Sequence, residues 1–262
     1  MQASRPARST HVDDAKVATA AAEAAGRELR ALRSGTAGRI RSGQDLGKLG
    51  DQRSHELLTS FLAAAYPGDS ILSEESADDR GRLTSDRVWI IDPLDGTREY
   101  SEPGRIDWAV HVALVEDGEL SVGVVAMPAL RLTFSSARPS PLPPRQGPIR
   151  LTVSRTRAPA LADAVGRRLG ATLVPMGSAG AKTMSILVGE TDVYLHAGGQ
   201  YEWDSAAPVA VALASGLHAS RIDGSPLRYN RFPAWQPDLL VCRPELAENV
   251  LRLIREESAV NI

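Results

Sequence analysis

The chain has very little cysteine. Cys242 is the single one in 262 residues, which excludes both an internal disulfide and a cysteine-based zinc site. No run of 18 apolar residues is present, so an ordinary membrane-spanning helix is excluded, and the region of Arg5 and Arg8 lacks the apolar segment of a secretory signal. The net charge of −2 provides no broad basic surface for nucleic acid. We therefore expect a cytoplasmic protein without nucleic-acid or membrane partners.

Lysine is also scarce, since Lys16, Lys48 and Lys182 are the only ones and arginine carries nearly all of the positive charge. Arginine favours bidentate contacts with phosphate, although an Ala- and Arg-rich composition also follows from coding bias. Hydrophobic residues make up 43% of the chain. That is enough for a sizeable core in one large domain or two closely joined ones.

Apolar periodicity in the first half predicts two helices followed by mainly antiparallel strands. The predicted elements are helices at 11–33 and 51–65, a glycine-spaced loop at 42–50 between them, and strands at 71–72, 88–91, 108–115 and 119–126. Asp117-Gly118 joins the last two strands and is typical of a tight hairpin turn.

The second half predicts alternating strands and helices, and therefore an α/β arrangement. Its predicted elements are strands at 151–153, 171–174, 192–195 and around Leu217 and Leu239, with helices at 159–169, 179–188, 205–214 and from Pro244. Five prolines in 139–148 predict a connection between an N-terminal α+β subdomain (1–138) and a C-terminal α/β subdomain (149–262).

Acidic residues follow three separate strand-like or helix-initiating stretches. They are Glu74-Glu75, Asp92 with Asp95, and Asp204. Mg²⁺ prefers carboxylate oxygens, water and substrate phosphate, and four or five carboxylates suit a site for more than one ion. Gly96 and Thr97 follow directly. A glycine, whose backbone can approach a ligand closely, and a neighbouring hydroxyl group suit the binding of phosphate. The set predicts a divalent metal site that acts on a phosphoryl group.

Each acidic stretch also has an ordinary structural explanation when it is taken alone. Glu74-Glu75 suits the solvated edge of a loop, Asp92-Pro93 suits a turn, and Asp204 suits the N-cap of a helix that begins at Ser205. The metal hypothesis depends on their occurrence together.

These residues carry a resemblance to a known family. Three stretches resemble the ordered motifs of the inositol monophosphatase superfamily, and a fourth is similar to another of its motifs: Ile71–Ser76 (ILSEES), Trp89–Thr97 (WIIDPLDGT), Trp203–Pro208 (WDSAAP) and Gly177–Ala179 (GSA). The resemblance covers roughly Asp51 to Gly216. Within the superfamily the chain looks most like the CysQ-type phosphatases, whose Val-Ser-Arg segment resembles Val153-Ser154-Arg155.

The resemblance implies a role for each matching residue. Glu74, Asp92 and the Leu94 carbonyl would bind a first Mg²⁺ that carries the attacking water. Asp92, Asp95 and Asp204 would bind a second Mg²⁺ at the leaving oxygen, and Glu74 would also reach a third ion.

Further implied roles concern the water and the substrate. The Thr97 hydroxyl, oriented by Asp51, would help to deprotonate the water, so Asp51, Glu74 and Thr97 form the catalytic set. The substrate contacts would be made by Asp95, Gly96, Thr97, Gly177, Ser178 and Asp204. We also expect Arg155 and Arg157 near a second phosphate and Tyr201 against a base, with a surface arginine and a packed tyrosine as the alternatives. Lys182 would lie near phosphate or on a solvated helix face.

The resemblance implies an α/β (α+β) protein with the layered α/β/α/β/α sugar-phosphatase fold, a homodimer, and inhibition by Li⁺. The implied activity is Mg²⁺-dependent removal of the 3′-phosphate of 3′-phosphoadenosine 5′-phosphate in sulfate assimilation. Inositol monophosphate and fructose 1,6-bisphosphate are alternative substrates within the superfamily. A non-catalytic role in a transcription complex is a further alternative, although retaining so many acids without a metal is costly.

Four features of the sequence bear on other interpretations. The family's Val-Thr-x-Ala-Asp pattern is replaced by Gly47-Lys48-Leu49-Gly50-Asp51, so Asp51 also suits a helix N-cap. Pro93 stands where a haloacid-dehalogenase-type phosphatase needs an aspartyl nucleophile, which argues against that class. A Ser-His-Asp hydrolase is not indicated, because no Gly-x-Ser-x-Gly sequence is present. We expect His111, inside an apolar strand, to have a hydrogen-bonded core role.

Overall fold

The computed structural model describes residues 11–35, 43–156 and 158–260. Its helices and strands, in chain order, are α1 (His11–Gly35), α2 (Gly43–Ala65), β1 (Ser70–Ser73), β2 (Arg87–Asp95), α3 (Thr97–Ser101), β3 (Ala109–Glu116), β4 (Glu119–Met127), β5 (Leu132–Ser135), β6 (Arg150–Ser154), α4 (Ala160–Leu169), β7 (Thr172–Met176), α5 (Ala179–Leu187), β8 (Val193–Tyr201), α6 (Glu202–Ala214), β9 (His218–Ser220), β10 (Trp235–Cys242) and α7 (Pro244–Val260). Short 3₁₀ turns lie at Arg80–Thr84 and Pro128–Leu130.

The elements form five layers around two sheets. The first sheet has the order β1-β2-β3-β4-β5 and the second has the order β7-β6-β8-β10-β9. Helices α1 and α2 pack on the outer face of the first sheet, α5 and α6 lie between the sheets, and α4 and α7 cover the second sheet. The predicted α/β/α/β/α layering is confirmed.

The central hydrophobic core contains residues from both halves of the chain. Val125 of the first sheet and Val241 of the second belong to one buried cluster, together with Met184 of α5 and Val209 of α6. This packing holds α6 against β2, β3 and β4. The proline-rich segment 139–148 runs between β5 and β6; the division into two subdomains stays a prediction.

The hairpin prediction is confirmed. Asp117 and Gly118 both have positive φ, at 50° and 83°, as the tight turn between β3 and β4 requires. Among the residues that the structure describes, no helix is long and apolar enough to span a membrane.

The predicted start of α2 is wrong, because the helix begins at Gly43 and includes the glycines that were assigned to a loop. Gly47 and Gly50 are buried, and a Cβ at Gly47 would lie 2.7 Å from Thr97 Cγ2. The glycines allow α2 to approach α3 closely. Asp51 therefore lies inside the helix and is not its N-cap; Ser42 lies outside the described residues.

Helix α6 also begins earlier than predicted, at Glu202. Asp204 consequently lies in its first turn, and the N-cap alternative for Asp204 is wrong. Upstream, β2 continues through Asp95 with an irregular register between Asp92 and Asp95. The chain turns out of the sheet only at Gly96, whose φ of 90° favours glycine.

Candidate metal and phosphate site

Three aspartates from two layers come together between the sheets. Asp92 and Asp95 lie at the end of β2, and Asp204 lies in the first turn of α6. Each offers a carboxylate oxygen, and these atoms lie within 4.8 Å of one another. Asp92 and Asp95 are buried, whereas Asp204 is half-buried. The packing of α6 on β2 thus joins residues that are far apart along the chain.

Backbone donors fix one oxygen of Asp92 and one of Asp204. The Leu94 N–H donates to Asp92 Oδ1 at 3.0 Å, and the Tyr201 N–H donates to Asp204 Oδ2 at 2.6 Å. Among the described residues, neither second oxygen has a hydrogen-bond donor. Each aspartate is therefore oriented before any cation binds and keeps one oxygen for it.

Asp95 is held in the same way by the fourth motif. Ser178 Oγ donates to Asp95 Oδ2 at 2.5 Å and the Gly180 N–H does so at 2.8 Å. Ser178 Oγ also accepts the Ala181 N–H at 2.9 Å and so caps α5. Ser178 has a φ of 45°, a strained conformation of the kind found at functional sites.

Burial and mutual repulsion raise the pKa values of two of the three aspartates, whereas the partners of the third lower its pKa. Burial raises the pKa of Asp92 well above its ordinary value, and Glu74, Asp95 and Asp204 raise it further. Burial and then Asp95 raise the pKa of Asp204 to about 6. Burial also acts to raise the pKa of Asp95, but His111 and the donors above outweigh it and lower that pKa to about 2. These carboxylates repel one another, and each has one oxygen without a hydrogen-bond donor among the described residues. Such a group suits the binding of a divalent cation.

Glu74 lies outside the group of three but shares its electrostatic environment. Desolvation, followed by the charges of Asp204 and Glu75, raises the pKa of Glu74 to about 8, although its side chain is solvent-exposed. The alternative of a solvated loop edge accounts for the exposure of Glu74 but not for the rise in its pKa caused by the neighbouring carboxylates. Its role as a metal ligand stays a prediction.

The predicted water-orienting pair is adjacent to the cluster. Thr97 Oγ1 lies 3.2 Å from Asp51 Oδ1 and 3.2 Å from the Leu94 carbonyl oxygen. Burial, followed by the charge of Glu75, raises the pKa of Asp51 to about 7, although the Thr97 hydroxyl opposes this. A carboxylate with a pKa near neutrality suits proton transfer at physiological pH.

Lys182 lies in the buried first turns of α5, so its solvated-face alternative is wrong. The ammonium group lies 3.4 Å from the Gly177 carbonyl oxygen and 5.0 Å from the centre of the Tyr194 ring. Burial lowers the pKa of Lys182, while Asp95 and other nearby carboxylates oppose the shift.

The predicted substrate residues have different surroundings. Arg155 pairs with Glu99 at 2.8 Å and with Glu102 at 2.7 Å. Tyr201 is 47% exposed, so a fully packed tyrosine does not describe it. Arg157 lies outside the described residues. The roles of Arg155 and Tyr201 toward substrate stay predictions.

An aromatic shelf next to Asp204 was missed by the sequence analysis. We define it as Tyr201, Trp203 and Trp235. Tyr201 stacks on Trp203 with ring centres 4.6 Å apart and meets Trp235 edge-on at 5.1 Å. The spacing of Tyr201 and Trp203 beside an acidic residue was a possible signal, but Trp235 comes from β10 and reaches the shelf only through pairing of β10 with β8.

The five layers and the aspartate cluster define a layered α/β protein with a group of carboxylates that could hold a metal ion. The model of the inositol monophosphatase family matches residues 11–259, and the chain therefore belongs to that family. It is 51% identical over 223 residues to a Mycobacterium bovis protein named 3′-phosphoadenosine 5′-phosphate phosphatase, covering 80% of this chain and 82% of that protein.

The chain is also similar to a more distant relative and shares its fold with a solved structure. The Escherichia coli 3′(2′),5′-bisphosphate nucleotidase CysQ is 29% identical over 193 residues, covering 68% of this chain and 77% of the relative. The crystal structure of CysQ from Bacteroides thetaiotaomicron has the same fold, with a TM-score of 0.76, 23% identity, and coverage of 88% of this chain and 97% of that one.

We expect the metal-free protein to lose stability as pH rises from about 5 to about 8. Glu74, Asp51 and Asp204 have folded-state pKa values of about 8, 7 and 6, above the ordinary values of 4.5 for Glu and 3.8 for Asp. In this window the folded state holds protons that the unfolded chain has released, so raising the pH favours unfolding. Asp95, whose pKa is lowered to about 2, contributes only at lower pH.

Mg²⁺ is expected to offset this loss, so its stabilising effect should increase with pH. Thermal unfolding with either EDTA or Mg²⁺, at constant ionic strength across that range, measures the effect. A shift in Tm that stays the same at every pH contradicts the assignment of Glu74 and Asp204 to one metal site.

Proposed function

We propose that this protein is a Mg²⁺-dependent phosphomonoesterase that removes the 3′-phosphate of 3′-phosphoadenosine 5′-phosphate to give AMP and inorganic phosphate. The observation that carries the proposal is the oriented cluster of Asp92, Asp95 and Asp204 beside the Thr97–Asp51 pair. The names of the mycobacterial and E. coli relatives support this substrate. The associated role is the removal of a by-product of sulfate activation.

The residues that would hold two or three Mg²⁺ ions are the carboxylates of Glu74, Asp92, Asp95 and Asp204 and the carbonyl of Leu94. Bound Mg²⁺ supplies positive charge against the phosphoryl oxygens and lowers the pKa of a coordinated water. The protein's part is to orient these ligands, and the donors to Asp92, Asp95 and Asp204 do so with one oxygen of each.

Thr97 and Asp51 provide a route for the proton of the attacking water. The water oxygen bonds to phosphorus, the bond from phosphorus to the 3′-oxygen breaks, and the leaving oxygen takes a proton from solvent water while the proton received by Asp51 returns to solvent. Thr97 Oγ1 accepts the water's proton as its own hydrogen passes to Asp51 Oδ1, 3.2 Å away. The raised pKa of Asp51, about 7, favours this acceptance near neutral pH.

The aromatic shelf supports a nucleotide over a sugar phosphate. Tyr201 and Trp235 are 47% and 43% exposed, and Tyr201 directly precedes the helix turn that carries Asp204. Stacking of a base on an aromatic side chain contributes about 1–3 kcal/mol. Gly96, Thr97, Gly177 and Ser178 would contact phosphate, and Arg155 would reach a second phosphate. The homodimer and the cytoplasmic location stay predictions.

A kinetic panel tests the substrate. We expect kcat/KM to be highest for 3′-phosphoadenosine 5′-phosphate among that nucleotide, inositol monophosphate and fructose 1,6-bisphosphate, with Mg²⁺ present, and expect Li⁺ to inhibit. Trp235→Ala should lower kcat/KM for the nucleotide by about 10- to 100-fold, the equivalent of one stacked base. It should leave the inositol ester within about threefold, because that ester has no base to stack.

The matched control is Phe232→Ala, since Phe232 is also an exposed aromatic residue but packs against Arg80. Preference for the inositol ester contradicts the nucleotide assignment. Protein that binds Mg²⁺ but hydrolyses none of the three favours a non-catalytic role.

A further inference from the structure

His111 contacts Asp95 and the residue before Asp204 from a fully buried position on β3. Its Nε2 lies 3.2 Å from Asp95 Oδ2, and its Nδ1 lies 3.1 Å from the Trp203 carbonyl oxygen. Asp95 belongs to β2, whereas Trp203 precedes Asp204 in α6. One imidazole ring, which is 0% exposed, therefore joins the first sheet to the helix turn that carries Asp204.

The residues packed around the His111 ring leave space for it. A Cβ added at Gly180 would overlap His111 Nε2, so only glycine there lets α5 approach Asp95 with the ring in place. The backbone N–H of Gly180 donates to the same oxygen, Asp95 Oδ2, at 2.8 Å. The contact of Nε2 with that oxygen is electrostatic rather than an aligned hydrogen bond, and Nε2 has no hydrogen-bond partner among the described residues.

All the described contacts of Asp95 thus converge on one oxygen. Ser178 Oγ, the Gly180 N–H and His111 Nε2 all approach Oδ2. Oδ1 is left without a described donor. A carboxylate held this way presents its second oxygen to a cation in a fixed direction, and such supporting contacts typically alter metal affinity by about 10- to 100-fold.

We propose that His111 is a positioning residue for the metal site, which holds Asp95 through Oδ2 and ties it to the turn that carries Asp204. The role rests on the proposed metal-dependent function. It goes beyond the core role expected from the sequence, because a residue that only fills the core could be replaced by an apolar side chain without altering metal binding.

Three substitutions distinguish the contributions of the two ring nitrogens of His111 to metal binding. His111→Leu removes both polar contacts, His111→Gln keeps an N–H group near the position of Nε2, and His111→Asn keeps one near Nδ1. Binding of Mn²⁺ to the full-length protein without substrate, measured by calorimetry, is expected to weaken about 10- to 100-fold in His111→Leu. His111→Gln should recover most of this loss, and His111→Asn should recover less.

Kinetics provide a second readout. In His111→Leu the Mg²⁺ concentration for half-maximal rate should rise by the same factor, while kcat at saturating Mg²⁺ stays within about threefold. Val125→Ala is the matched control, because Val125 pairs with His111 in register, is buried on the same face, and has no polar contact. It should lower Tm without altering metal affinity.

A double-mutant cycle covers the case in which His111→Leu does not fold. Gly180→Ala should weaken Mn²⁺ binding in the wild-type background, because the added methyl group displaces the ring. It should weaken binding much less in His111→Ala, where the ring is absent. Equal losses in the two backgrounds overturn the proposal.

The outcomes distinguish this role from the proposed function. Normal Mn²⁺ affinity in His111→Leu, with only a lower Tm, overturns the positioning role and leaves the phosphatase proposal intact. Wild-type protein that binds Mn²⁺ but hydrolyses no phosphomonoester overturns the phosphatase proposal, while the binding series still tests His111. Wild-type protein that binds no divalent cation overturns both.

Discussion

Asp92→Asn is expected to lower kcat/KM by about a thousandfold or more. Asp92 is buried, and its carboxylate lies within the reach of Asp95 and Asp204. Asparagine keeps its shape and the contact with the Leu94 N–H but removes the charge and one anionic oxygen. A catalytic metal contributes several kcal/mol of transition-state stabilisation, and each 1.36 kcal/mol is a factor of ten in rate.

The same substitution should have the opposite effect on stability. Because burial, and then the charges of Glu74, Asp95 and Asp204, disfavour the ionised Asp92 carboxylate, its replacement by a neutral amide should raise the Tm of the metal-free protein near neutral pH while reducing the stabilisation by Mg²⁺. Asp117→Asn is the matched control: it removes a carboxylate from an exposed hairpin turn that also accepts asparagine. Near-normal Mg²⁺-dependent activity of Asp92→Asn would show that Asp92 is not a bridging metal ligand.

Asp51→Asn is expected to lower kcat by about 10²- to 10⁴-fold, the range typical of a group that accepts a proton in the reaction. Asp51 contacts the Thr97 hydroxyl at 3.2 Å and lies outside the group of three aspartates. Metal affinity should therefore change much less than kcat. This division between kcat and metal affinity distinguishes Asp51 from Asp92.

Thr97→Val tests whether Asp51 acts through the threonine hydroxyl. If the two side chains form one proton path, the double variant should be no slower than the slower single variant, because removing either one interrupts the path. Steady-state kinetics of the four proteins measure this. Asp45→Asn, an exposed position in the first turn of the same helix, is the control. Fully additive losses contradict a shared path.

Much of the site was predictable because its signals are local. Apolar runs followed by Glu74, Asp92 and Asp204 identify where strands or helices end or begin, and the Asp117-Gly118 turn needs only its own two residues. The errors occurred where distant packing decides local structure. Gly47 and Gly50 are typical of a loop in sequence, but they lie in a helix because α3, which includes Tyr100, packs against them. Lys182 is typical of a solvated helix face, but it is buried because α5 lies between the two sheets.

The sequence by itself determined which chemical groups are available and in what order: the acidic motifs, the hydroxyl of Thr97 and the small residues around Ser178. These are fixed by covalent order and local hydrogen bonding, which a short window reveals. Only the tertiary structure decided that Asp92 and Asp204 meet, which carboxylate oxygens remain free, and that His111 connects their elements. Those features depend on the burial of α5 and α6 between the sheets, a contact among residues far apart along the chain that no local pattern encodes.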